Sequence, residues 1–123
     1  MSFTPPNLDN LVAELQSFPK RSFRDRRWIP STGGVYVIYD KRSALYVGRT
    51  NNLYRRLKHE HLEGQGNSAL RRELMSRMGF SGRQVNEYLT DQCEFQYVEL
   101  ADANVQTDLE HQMKLKLHPY INF

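Results

Sequence analysis

The chain has 123 residues, a formal net charge of +3 from 17 basic and 14 acidic residues, and a single cysteine, Cys93. That length suits one domain able to bury a core without covalent staples, and a lone cysteine excludes an internal disulfide. No apolar run approaches the roughly 20 residues of a membrane helix, and the start lacks the basic-then-apolar order of a signal peptide, so the expected location is cytoplasmic.

Taken in order, Pro5-Pro6 predicts a loose start, after which Asn7 caps an amphipathic helix in which Leu8, Leu11, Val12 and Leu15 recur at helical spacing up to Pro19. Pro19 to Thr32 is a basic connection carrying Phe23, Trp28 and Ile29, with Trp28 expected to pin it to the core. Residues 1–32 read as an extension docked on a domain spanning 33–123. The runs Gly34-Val35-Tyr36-Val37-Ile38-Tyr39 and Leu45-Tyr46-Val47-Gly48-Arg49 flank the polar turn Asp40-Lys41-Arg42-Ser43 and read as an antiparallel hairpin.

Thr50-Asn51-Asn52 then offers a helix cap, with Leu53, Leu57 and His61 on one face and Tyr54 beside them. Arg56 and Glu60 lie one turn apart on another face, as do Arg55 and His59. Two residues apart on a helix, His59 and His61 do not make a metal pair. Gly64-Gln65-Gly66-Asn67 breaks the helix and Ser68 opens another, Ala69 to Met78, with Leu70 and Leu74 inward and Arg71, Arg72 and Arg77 outward.

After the turn Gly79 to Gly82, residues 83–89 fit either a short helix or an irregular link. Glu94 to Leu100 alternates like a strand with one polar face and would complete a three-stranded antiparallel sheet with the hairpin. A last helix, capped by Asp102, Asn104 or Thr107, would bury Leu109, Met113 and Leu117 and leave Glu110 at the edge of that stripe. The predicted class is α+β, a small sheet flanked by helices. Basic residues cluster at Lys20 to Arg27, at Arg49 to Lys58 and at Arg71 to Arg77, a distribution that suits phosphate backbones and equally suits solvated faces.

Gly34-Val35-Tyr36, Tyr46-Val47-Gly48, Asn52-Leu53-Tyr54-Arg55-Arg56-Leu57, Glu110 and Asn122 stand in an order that resembles the GIY-YIG nuclease superfamily, over about three quarters of the chain. The resemblance implies an endonuclease hydrolysing DNA phosphodiesters by in-line water attack. It gives Glu110 the role of holding one Mg²⁺ or Mn²⁺, which suits a hard cation that keeps most of its waters, and Arg56 that of binding phosphate bidentately. Tyr36 would be the general base, with Arg49 supplying a field to lower its pKa, and Tyr46 would orient the water or a phosphate oxygen.

Asn122 would hold the site together by hydrogen bonding, and Gly34, Gly48, His59 and Glu60 would support it. Arg49, Arg55, Arg56, Lys58, Arg71 and Arg72 are the candidate nucleic-acid contacts. Relatives carry His or Tyr four residues after the helix arginine, where this chain has Glu60; a carboxylate there would weaken the grip on phosphate or add an oxygen ligand near the metal. No zinc-finger spacing or separate reader domain is present, so specificity would be structure-directed or borrowed from a homodimer or protein partner. The alternatives from other classes are a catalytically silent nucleic-acid-binding module of the same fold and a protein-interaction domain using the N-terminal helix.

Overall fold

A computed structural model of the protein describes residues 7–25, 29–41 and 43–123; the expectations about Pro5-Pro6, Arg26, Arg27, Trp28 and Arg42 lie outside them. The elements run α1 (Leu8–Ser17), β1 (Arg21–Ser22), β2 (Gly34–Tyr39), β3 (Ala44–Thr50), a π-helix (Arg55–Leu62), α2 (Ala69–Met78), α3 (Gly82–Gln92), β4 (Glu94–Glu99) and α4 (Ala103–Leu117). The class is α+β as predicted, but the sheet has four antiparallel strands, ordered β1-β4-β2-β3, not three. The extra strand is two residues long, too short for any periodicity to reveal, and pairs Arg21 with Phe95 and Ser22 with Glu94. Phe23, fully buried against Phe95 at 5.1 Å between ring centroids, holds it in place.

Every residue of β2 is buried, because helices cover both faces of the sheet. One face presents Tyr36, Ile38, Tyr46, Phe95 and Tyr97 to Leu53 and Leu57 of the π-helical region and to Leu70, Leu74, Val85 and Leu89 of α2 and α3. The other presents Val35, Val37, Val47 and Val98 to Leu15 of α1 and to Leu109 and Met113 of α4. Each such side chain removed from water contributes about 1.5–3 kcal/mol, so the two layers together supply the dominant folding term. Local capping agrees with the sequence: Asn7, Ser68 and Asp102 accept backbone N–H groups at the starts of α1, α2 and α4, and Ser81 with Gln84 forms a capping box that makes residues 82–92 a helix.

Three expectations need correction. The polar face of β4 is not solvated. Gln96 is buried, accepts from Tyr39 Oη at 2.8 Å, and donates to the carbonyls of Gln16 at 3.0 Å and Phe18 at 2.6 Å, so its amide ties the end of α1 to the sheet. Arg71 does not point outward. Its guanidinium folds in and donates to the carbonyls of His61, Leu62 and Gly82 and to Asn86 Oδ1, cross-linking the π-helix to α3. Finally, Leu53 and Tyr54 begin the helix after Asn52, but from Arg55 to Leu62 its hydrogen bonds are of the i→i+5 kind. Cys93 is buried, and burial together with the Asp40 charge pushes its thiol up to about 12, in keeping with an inert structural cysteine. No helix among the described residues is long and apolar enough to cross a membrane.

Replacing Gln96 by Leu, which keeps the volume but removes the amide, is expected to lower stability by about 1–3 kcal/mol in urea titration. The amides of α1 should lose hydrogen-exchange protection before those of β2 and β4.

Candidate active site

The hairpin register places Tyr36 opposite Gly48 and Ile38 opposite Tyr46, so Tyr36, Gly48 and Tyr46 share one sheet face. Gly48 is a steric requirement. A Cβ there would lie 2.3 Å from Tyr36 Oη, so only glycine lets the phenol cross the strand. The rings of Tyr36 and Tyr46 stack with centroids 6.3 Å apart and planes 23° off parallel. Gly34 works elsewhere: a Cβ would lie 2.3 Å from Val98 O, so this glycine permits close packing of β2 on β4 and does not touch the phenols.

The π-helix completes the cluster. With about 3.6 residues per turn an ordinary helix would turn residue i+5 well away from residue i. The wider winding instead brings both Glu60 and His61 to the side of Arg56. Arg56 Nε donates to Tyr36 Oη at 3.3 Å, while Tyr36 Oη and His61 Nε2 are 2.6 Å apart. His61 is fully buried, and its Nδ1 lies 2.7 Å from Ser68 Oγ. Ser68 Oγ accepts the Arg71 N–H of the α2 cap and keeps a second lone pair for a proton from Nδ1. The buried Tyr36 hydroxyl has to donate its own hydrogen, and because Arg56 Nε can only donate, the acceptor is His61 Nε2, which leaves the imidazole proton on Nδ1, facing Ser68 Oγ. Burial, followed by the charges of Arg56 and Arg71, holds the His61 pKa well below the usual histidine value, so the ring is neutral.

Sequence reasoning missed His61. The signal was present: an imidazole aligned with Leu53 and Leu57 on an inward stripe has to find buried partners. The residue four after Arg56 looked like the informative position, and the π-helix shifts that role by one.

The electrostatics of the phenols correct a second expectation. Burial first, then the Tyr46 phenol, raise the Tyr36 pKa far above its ordinary value, although the Arg56 charge and hydrogen bond oppose this and Glu110 adds to it. Tyr46 is raised as well, chiefly by burial. The cation facing Tyr36 is thus Arg56, whereas Arg49 turns toward Glu110, with Nε 3.9 Å from Oε1. Burial works against the charge of Arg56, but Tyr36 and Glu60 hold its pKa above the usual guanidinium value.

Glu110 projects from α4 with its side chain 21% exposed, and its only cationic neighbours among the described residues, Arg49 Nε and Lys114 Nζ, are both at 3.9 Å. No group of three or more His, Cys, Asp or Glu is arranged as a metal cage among the described residues. A single loosely paired carboxylate whose charge reaches both phenols still fits a hard cation that retains most of its waters.

The remaining candidates divide. Asn122 lies against β3, not in the cluster: Val47 N–H donates to its Oδ1 at 3.1 Å and its Nδ2 donates to Val47 O at 2.5 Å. With Tyr120 N–H on Ala44 O at 3.1 Å and Ile121 N–H on Leu45 O at 2.9 Å, the tail follows the free edge of β3, and Arg77 holds the carbonyls of Tyr120 and Ile121. Val47 lies between Tyr46 and Gly48, so Asn122 fixes the backbone that carries both. His59 faces away, paired with Glu63 at 2.8 Å and edge-on to Tyr54. Arg55 and Arg72 are exposed beside the cluster, bonded to Asn51 and Asn67, and Lys58 bonds Tyr54 Oη at 2.9 Å. Arg71, with its terminal nitrogens engaged by the fold, is the one cation of the expected set drawn out of the surface.

Comparison with known proteins agrees with this fold. No curated protein matches the chain significantly. Among solved structures, the N-terminal GIY-YIG endonuclease domain of UvrC from Thermotoga maritima, bound to magnesium, superposes with a TM-score of 0.55 at 19% identity, covering 81% of this chain and 93% of that one. A point mutant of the same domain bound to its catalytic divalent cation gives a TM-score of 0.54 at 19% identity, covering 81% and 92%. The model of the GIY-YIG catalytic domain matches residues 32–120, and the chain therefore belongs to the GIY-YIG family.

Proposed function

We propose that the protein is a metal-dependent endonuclease that hydrolyses DNA phosphodiester bonds by in-line attack of water. The observation that carries this reading is the convergence of Tyr36, Arg56 and His61 on one buried phenol oxygen, next to Tyr46 and within the field of Glu110. The phenol has a cation that can stabilise its anion and a neutral imidazole beside its proton.

Glu110 would hold the divalent cation, as the metal-bound relatives support, and that cation would neutralise charge on the scissile phosphate and the leaving oxygen. Tyr36 is the general base. Arg56 Nε–H donates to its oxygen, which favours the phenolate, and His61 Nε2 accepts its hydroxyl proton. Burial opposes that ionisation, so the base form is scarce at neutral pH and grows with pH. Tyr46, stacked on Tyr36, orients the attacking water or a phosphate oxygen, and Asn122 keeps its strand in register. Arg56 contacts the phosphate, with Arg49, Arg55, Lys58 and Arg72 as backbone contacts that position the substrate without reading its sequence.

Glu110→Ala is expected to abolish Mg²⁺-dependent nicking of duplex and branched DNA while changing stability by no more than about 0.5 kcal/mol, since its ion pairs are long. Equal cleavage by the variant would remove Glu110 from the site, and binding without cleavage by the wild type would identify a silent module. Under single-turnover conditions the wild-type rate should rise about tenfold per pH unit between about pH 7 and 9, the sign required by a base whose pKa is raised. Tyr36→Phe should be slow and lose that slope; a slope retained in the variant would assign it to another group.

A further inference from the structure

The guanidinium of Arg56 carries its N–H donors in a rigid fork: Nε donates to Tyr36 Oη at 3.3 Å, Nη1 donates to Glu60 Oε1 at 2.6 Å and to Asn67 O at 2.9 Å, and the group also hydrogen-bonds the Tyr46 phenol. Glu60 is itself held, because its second oxygen lies 3.4 Å from Arg55 Nε. The side chains of Arg56 and Glu60 are only 22% and 20% exposed, so this pair is less screened than a surface salt bridge. An arginine free to rotate has about 2 kcal/mol of rotamer entropy to lose when it engages a ligand.

We infer that Glu60 is a positioning residue for the phosphodiester chemistry, fixing Arg56 with Nε on the Tyr36 oxygen and its guanidinium beside both phenols, where an incoming phosphate meets it. This rests on the reading of Arg56 as the phosphate-binding group. Glu60 does not take the whole guanidinium from that phosphate, because it bonds Nη1 alone. The π-helix makes this possible: it is the wide turn that lets Glu60 hold Arg56 while His61 occupies the phenol.

The test compares wild type, Glu60→Ala and Glu60→Gln in the full chain, by steady-state cleavage of a labelled DNA duplex with Mg²⁺ and by nitrogen-15 NMR of the arginine Nε–H groups. Glu60→Ala should lower kcat on the order of 10²-fold, the cost of a misplaced catalytic group. KM should move by less than about threefold, since ground-state binding is little changed. Glu60→Gln, which retains an oxygen acceptor, should recover about tenfold of the lost kcat. The Arg56 Nε–H signal should exchange slowly with solvent in wild type and Gln and rapidly in Ala. A rise in turnover or a fall in KM for Glu60→Ala would overturn the inference and make the carboxylate a competitor of phosphate. Unchanged kcat with unchanged Nε–H protection would also overturn it. If wild type cuts nothing, the nuclease reading falls by itself, while the Nε–H exchange still decides whether Glu60 anchors Arg56.

Discussion

The structure depends on how one buried phenol is satisfied. Tyr36 sits in the middle of the central strand with no exposure to solvent, where an unpaired hydroxyl is costly. Meeting that cost determines the neighbours. Gly48 has to lack a side chain so that the ring can cross β3, His61 has to sit on the inward face of the following helix, and Arg56 has to reach over the ring from the same helix. Ser68, which caps α2, fixes the imidazole from behind. One polar atom thus couples two strands, the π-helix and the start of α2.

That coupling explains why the sheet is enclosed on both sides. The phenols belong to the layer beneath the π-helix, α2 and α3, whereas Glu110 comes from α4 in the opposite layer. A carboxylate can influence Tyr36 and Tyr46 from there only because β3 is the edge strand on that side. The division also keeps opposite charges apart: Arg56 and Glu60 pair within one layer, and Glu110 keeps only distant cations, leaving its oxygens available.

Much of this was legible in the sequence. Capping residues and apolar spacing placed α1, α2 and α4, and the hairpin followed from its β-branched and aromatic runs around a polar turn. Tyr36, Tyr46 and Arg56 were singled out through the resemblance to the GIY-YIG family, and the fold brings the three together. What escaped has a common cause. Gln96 and Arg71 looked like surface residues because polarity alone predicts exposure, whereas each is buried or folded inward by bonds to backbone carbonyls distant in sequence. His61 was hidden by helix type, since a count at ordinary helical pitch points to residue 60 and the i→i+5 winding points one further. The strand β1 has no pattern of its own and exists through Phe23.

The tail beyond α4 acts as more than a terminus. Through Tyr120, Ile121 and the amide of Asn122 it occupies the backbone groups of Ala44, Leu45 and Val47 that an edge strand would otherwise present. An exposed edge of this kind is a template for pairing with another chain. The segment that keeps the Tyr46 backbone in register therefore also covers that edge, so a tail that came loose would free the strand carrying Tyr46 and bare its backbone groups in the same event.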